Sequence, residues 1–455
     1  MARVTPIFKD KGSRQNYSNY RPISVLSYVS KIMEKHVQTM FIHFLTENNL
    51  ITSEQSAFLQ YHSTQTALHA MVDDWLENFD KGFPTLSLFL DLQKCFDSID
   101  HSILLRKLRN YGVFGSEFDW FKSYLHNRSQ VVYCNGQLSR KQPIRVGVPQ
   151  GSSLGPTLFL VFINDFPNIL HHCKCHLFAD DTTLYSSAPT TAEAKSKLEH
   201  DLLNAAKWFS DNKLTLNISK STLMAIGSSR RIGKDEITLT INDCKMTAEA
   251  SVKLLGVILD SNLSWCSHVD HIVKKVSPKI GLLSRLRHTL PSHLLNTIYK
   301  TIILPHFDYC DTVWGNCCKK YQIILQRLQN RCARIVTGNY DFTVHPSSLL
   351  RILGWQSLET RRSIHLSSLM FKCINGMAPQ YLSTKFHFAH EVHNRNTRNS
   401  VMKNLYVPRP KTETFKQSLA YIGSTTWNSL PAEIRNAESL YCFKQNLKRI
   451  HSHND

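Results

Sequence analysis

An α+β fold is expected for this chain of 455 residues, on three observations. Thr85–Leu92 (TLSLFLDL) and Cys175–Tyr185 (CHLFADDTTLY) have the short apolar, β-branched and aromatic content of buried strands. Asn135-Gly136, between Gln130–Cys134 and Gln137–Val146, is a strong two-residue hairpin signal. Longer stretches, Ala192–Asn212 and His268–Arg287 among them, carry apolar residues at helical spacing.

In chain order, Ala2–Phe8 reads as a strand that turns at Lys9–Gly12, and Arg21-Pro22 opens the next apolar run. Residues 31–80 read as helical, with Ile32, His36, Val37, Met40 and Phe44 on one face and Ala67, Met71, Trp75 and Phe79 on another. Asp91 ends the first buried strand, and Asp97 and Asp100 read as caps of a helix over Ser102–Arg109. A second helix carries Phe118, Phe121 and Leu125 ahead of the Asn-Gly hairpin. Val146–Pro156 (VGVPQGSSLGP) has Gly147, Gly151 and Gly155, where backbone can approach a ligand closely, followed by a buried helix over Leu158–Ile163. His171–His176 (HHCKCH) invites a zinc site, but the ligands are too crowded and lack a second pair at the usual spacing. In Cys175–Tyr185 a hairpin is expected with Asp180 and Asp181 at its turn. Val252–Asp260 is strand-like, and Leu294–Ile303 and Tyr321–Val336 continue a helical region in which Cys310, Cys317, Cys318 and Cys332 read as buried thiols. His387–Arg409 reads as a flexible connector, and Trp427–Pro431 as a turn before a short final helix.

A hydrophobic content of 42% excludes a disordered chain, and a net charge of +19 with pI near 9.4 points to a polyanionic partner. No apolar run approaches membrane-spanning length and no signal peptide opens the chain. The twelve cysteines, without a repeating spacing, fit reduced thiols in an intracellular protein. Carboxylates at the ends of buried strands are costly unless paired or metal-bound. Asp91 and Asp180 side by side would hold divalent ions, Mg²⁺ by preference, in a phosphoryl-transfer site.

FLDLQKCFDSIDH (89–101), GVPQGSSLGPTLF (147–159) and FADD (178–181), in that order, resemble the three central motifs of reverse transcriptases. ARVTPIFKDKG, NYRPISVLS, LNISKST (216–222) and VKLLGVILDSNLSW (252–265) are similar to flanking motifs of non-LTR (LINE-type, jockey-like) retrotransposon polymerases. The resemblance implies a right-hand polymerase. Residues 1–265 would be fingers and an antiparallel-sheet palm, 266–345 a helical thumb, and 346–455 a mainly helical C-terminal region specific to the element. It implies RNA-directed DNA synthesis, in which a primer 3′-hydroxyl attacks a dNTP on an RNA template with two Mg²⁺ ions, Mn²⁺ being the alternative. Asp91, Asp180 and Asp181 would be the catalytic metal ligands. Lys9 and Arg21 would meet the triphosphate, Phe96 would exclude a 2′-hydroxyl, Gln150 and Gly151 would pack against nucleotide and template, and Lys220 would protonate pyrophosphate. RNA template, DNA primer and dNTPs are the partners implied, with no membrane. The nucleus is the place expected for target-primed integration, the cytoplasm the alternative. Met1 falls just before or inside a fingers motif, which reads as a 5′-truncated copy or a reading frame started at an internal position, and Ala57 stands where the family usually has glycine. Those two points define a rival, a catalytically inactive RNA-binding relic of the same fold.

Overall fold

The computed structural model describes residues 1–233, 236–241, 244–392 and 403–454. Strand β1 (Ala2–Phe8) pairs antiparallel with β2 (Tyr20–Val25), and α1 (Tyr28–Glu47) and α2 (Thr64–Lys81) follow. After β3 (Thr85–Leu90), strand β4 (Ser129–Cys134) pairs in parallel with β1 and antiparallel with β5 (Gln137–Leu138) and β6 (Gln142–Pro143), completing one sheet. Asn135 and Gly136 both take positive φ, as the two-residue hairpin requires. The second sheet has the order β7 (Lys174–Phe178), β8 (Asp181–Ser187), β3, β9 (Thr222–Ile226), antiparallel throughout.

Every residue of β3 is buried because both faces of this sheet are covered. Leu86, Leu88 and Leu90 join Leu184, Leu223 and the helices Gly155–Ile163 and Thr191–Asp211 in one core. Phe89 and Tyr185 project from the other face, edge-on against Trp75 of α2. Alternation within a strand therefore serves two cores, which is why the sequence reads as a continuous apolar run. The second core runs on through the helix Cys266–Leu286, whose Val269, Ile272, Val276, Ile280 and Leu283 are buried as their spacing requires, and through the helix Lys319–Thr337. A third core gathers apolar residues from Ile364 to Leu447.

Several elements differ from expectation. Val252–Asp260 is a hairpin, β12 (Ser251–Leu254) with β13 (Val257–Asp260), following the small pair β10 (Thr238–Ile241) and β11 (Cys244–Thr247). Leu255 and Gly256, both at positive φ, fold it in two. On α1 the buried positions are Glu34, Phe41 and Leu45, while Ile32, His36 and Met40 face solvent. Cys318 is exposed, unlike Cys310, Cys317 and Cys332. Of the connector expected over 387–409, residues 393–402 lie outside the described residues.

The C-terminal region docks onto α2 through two carboxylates. Buried Asp73 accepts from the backbone N–H of Leu419 (2.7 Å) and Ala420 (3.3 Å), the start of the helix Leu419–Ser429, with Lys385 3.7 Å away. Asp80 accepts from the N–H groups of Lys411 (2.9 Å) and Thr412 (2.7 Å). Asp73→Ala leaves those amides without their acceptor, while Lys385 keeps Asp74 at 3.5 Å. It is expected to cost about 1–2 kcal/mol, read as a lowered urea midpoint for the C-terminal helices, with Asp73→Asn losing less.

Candidate active site

The β7–β8 hairpin and the end of β3 bring the three predicted aspartates together. The β3–β8 register pairs Leu90 with Thr182, so Asp91 and Asp181 fall opposite one another one step further on, with Asp180 in the turn. Ala179, ahead of Asp180, is at φ 55°, and its N–H donates to the side-chain carbonyl of buried Gln55 (3.2 Å). Gln55 also accepts from Ala57 N–H (2.8 Å), and the neighbouring chain is laid along β7 by Leu177 N–H to Glu54 O and Ser56 N–H to Leu177 O. The left-handed residues in this segment are Phe58, at φ 59°, and Tyr61, at φ 64°, and Ala57 is outside that region, so alanine carries no backbone strain there.

Asp91 is held from its far side by the turn after the helix Thr191–Asp211. Its Oδ2 accepts from Asn217 Nδ2 (2.8 Å), its N–H donates to Ser221 Oγ (3.2 Å), and Lys220 Nζ lies 3.8 Å from Oδ2. Desolvation, then the charges of Asp180 and Asp91, raise the Asp181 carboxyl to about 6. Burial and the Asp180 carboxylate push the Cys95 thiol up, so it stays protonated beside that carboxylate. Lys220 is the one cation paired with this cluster among the described residues. A set of three carboxylates in which one keeps its proton up to about pH 6 fits divalent ions, which would displace that proton.

The glycine-rich loop lies beside this cluster. Gly151 is at φ 115°, and a Cβ there would come within 2.7 Å of Ser24 O; Gly147 is at φ 83°, with Asp97 O as close. Ser24 N–H donates to Gln150 O (2.7 Å), which ties β2 to the loop. Buried Glu34 of α1 accepts from Ser152 Oγ and Ser153 N–H, both at 2.8 Å. The ring of Phe96 packs on buried Phe159, centroids 4.8 Å apart, and its carbonyl accepts from Val148 N–H. Lys9 is exposed at the β1–β2 turn, Nζ donating to Ser18 O, and Arg21 is exposed on β2.

Two expectations about nearby acids divide. Asp100 caps its helix, accepting from Ser102 and Ile103 N–H. Asp97 does not: it sits in the short turn Cys95–Ser98 and accepts from Gln150 Nε2 at 2.9 Å. Its carboxyl is raised by burial, against the opposing fields of Lys94 and Lys9. The crowded His171–Cys173 segment is gathered by the carboxylate of Asp201, which accepts from three successive N–H groups. A separate acidic group, Asp308, Asp311 and His365, lies in the helical region, with Asp308 bound at both oxygens by Arg361.

Sequence reading did not single out Asn217, Ser221, Gln55 or Glu34. Nothing in their residue types distinguishes them from surface polar groups, and only the fold shows that their partners lie in the aspartate cluster and the glycine-rich loop.

A buried antiparallel sheet with carboxylates at adjoining strand ends, facing a glycine-rich loop, is a polymerase palm, and the chain belongs to the reverse transcriptase (RNA-dependent DNA polymerase) family, whose model matches residues 9–259. Within it the chain is a LINE-type member. It is 28% identical to the probable RNA-directed DNA polymerase from transposon X-element of Drosophila melanogaster, over 74% of this chain and 37% of that protein. The probable polymerase from transposon BS of the same species is also 28% identical, over 81% and 41%. So is the polymerase from mobile element jockey, over 74% and 37%. The chain thus spans about two fifths of the length of these relatives. Enzymes of this family use divalent metal ions. Among the described residues no helix is long and apolar enough to cross a membrane.

The raised carboxyl fixes a pH dependence in metal-free protein. Asp181 ionises near its usual 3.8 when unfolded and near 6 when folded, so its contribution to stability is full below about 4 and is lost as pH rises through 6. Urea midpoints in EDTA between pH 4.5 and 7.5 are expected to fall more for the wild type than for Asp181→Asn. Asp91→Asn, which removes a neighbouring charge, is expected to lower the Asp181 midpoint seen by carboxyl NMR.

Proposed function

We propose that this chain is an RNA-directed DNA polymerase that extends a primer 3′-hydroxyl with dNTPs on an RNA template. The observation that carries the reading is the convergence of Asp91, Asp180 and Asp181 beside the PQG loop, with a proton held at about 6 on Asp181. These three carboxylates would hold two Mg²⁺ ions. Bound there, the ions supply activation of the attacking hydroxyl and neutralisation of the triphosphate. Lys9 and Arg21 bind the phosphates from the β1–β2 hairpin, a point cation and a bidentate guanidinium. Phe96 closes under the sugar, and Gln150 and Gly151 bound the nucleotide against the template. Lys220, already 3.8 Å from Asp91, holds the proton delivered to the leaving pyrophosphate.

Residues 1–265 act as fingers and palm, and 266–345 as a thumb that grips the duplex through its phosphates, without reading sequence. Residues 346–455 complete the polymerase as a helical region. The primer is DNA, and priming by a genomic strand places the work in the nucleus.

Oligo(dT) on poly(rA) with dTTP and Mg²⁺ is expected to be extended by the wild type and reduced to background by Asp180→Asn or by EDTA. Extension that survives Asp180→Asn would remove the assignment. Tight template binding without extension would favour a non-catalytic RNA-binding role.

A further inference from the structure

Asp97 has a role that the aspartate cluster does not use. A carboxylate can only accept a hydrogen bond, so its 2.9 Å contact with Gln150 fixes the amide with Nε2 turned inward and Oε1 as the free end. The same two segments are laced at the backbone. Val148 N–H donates to Phe96 O (2.8 Å) and Gly147 N–H to Ile99 O (2.7 Å). Gly147 approaches Asp97 so closely that a Cβ would lie 2.7 Å from the Asp97 carbonyl oxygen. Phe96 and Gln150, the proposed floor and wall of the nucleotide pocket, are therefore one unit, and Asp97 is its side-chain fastening. The positive charges of Lys9 and Lys94 face this carboxylate from the β1–β2 turn and from the end of the β3 segment.

We propose that Asp97 is a positioning residue for the incoming nucleotide, holding the Gln150 amide in one orientation beside Phe96. This rests on the polymerase reading and assigns nucleotide affinity to a residue outside the metal-binding set. Loss of the fastening frees the amide to rotate and leaves nucleotide binding to fix it again at each turnover.

The test measures dTTP affinity of the full chain on a primer–template, with Ca²⁺ replacing the catalytic metal so that no turnover occurs, beside steady-state KM and kcat in Mg²⁺. Asp97→Ala is expected to weaken dTTP about tenfold, as for one lost charge-assisted bond. KM rises in step, while kcat changes by less than about twofold. Asp97→Asn keeps an accepting oxygen and recovers most of the affinity. In a Gln150→Ala background, Asp97→Ala has no further effect. Unchanged affinity in Asp97→Ala, failure of Asp97→Asn to recover it, or full additivity with Gln150→Ala would each overturn the proposal. A thermal melt identifies a misfolded Asp97→Ala, in which case the isosteric Asp97→Asn and the Gln150 variants decide. A wild type that binds dTTP without extending contradicts the polymerase reading and leaves this comparison readable. One that binds no dTTP overturns both.

Discussion

Like-charge crowding at the rim of the buried sheet is the constraint around which the rest of the molecule is arranged. Three carboxylates this close, two of which raise the proton affinity of Asp181, must be held from outside, because their mutual repulsion drives them apart. The holding is done in layers. The β3–β8 register sets the facing positions, Asn217 and Ser221 bind Asp91, and Gln55 fixes the left-handed turn ahead of Asp180. None of these groups is a cation, so the negative field is kept for ligands, with Lys220 as its sole paired ammonium among the described residues.

The glycine-rich loop is built on the same plan. Its polar atoms are bound by residues remote in sequence: Glu34 by way of Ser152 and Ser153, Ser24 by way of Gln150, and Asp97 by way of the Gln150 amide. A loop fastened at that many points is preorganised, and little conformational entropy remains to be lost on binding a ligand. Helix α1 explains why its apolar pattern misleads. Its inner face is given to Glu34, Phe41 and Leu45, which serve this loop and the core, so Ile32 and Met40 are left in water.

What the sequence made legible was what local pattern and motif order determine. The strand that ends in Asp91, the hairpin of Asp180 and Asp181, the Asn135-Gly136 turn and the buried face of Cys266–Leu286 all follow from periodicity or turn chemistry. What stayed hidden depends on contacts between distant residues. Asp97 reads as a helix cap because caps are local, whereas its partner Gln150 lies 53 residues away. Leu255-Gly256 folds Val252–Asp260 into a hairpin although leucine gives no sign that it will adopt positive φ. Ala57 looked like a misplaced residue until the left-handed backbone was found one position later, at Phe58.

The second face of the palm sheet sets a timetable for the molecule. Trp75, Phe89 and Tyr185 leave the ribosome well before the residues that complete their core, which include Leu358 and Phe415. The acceptors Asp73 and Asp80 likewise wait for amides at 411–420. The nascent palm sheet must therefore spend seconds of synthesis with one side in water, a state that invites strand-to-strand association and chaperone capture. The Tyr381 hydroxyl also reaches back to Ser56 Oγ (2.9 Å), which itself touches His176 of the aspartate hairpin's first strand. The cover of the sheet's second face is therefore completed only by residues that lie well beyond the matched family segment, 9–259.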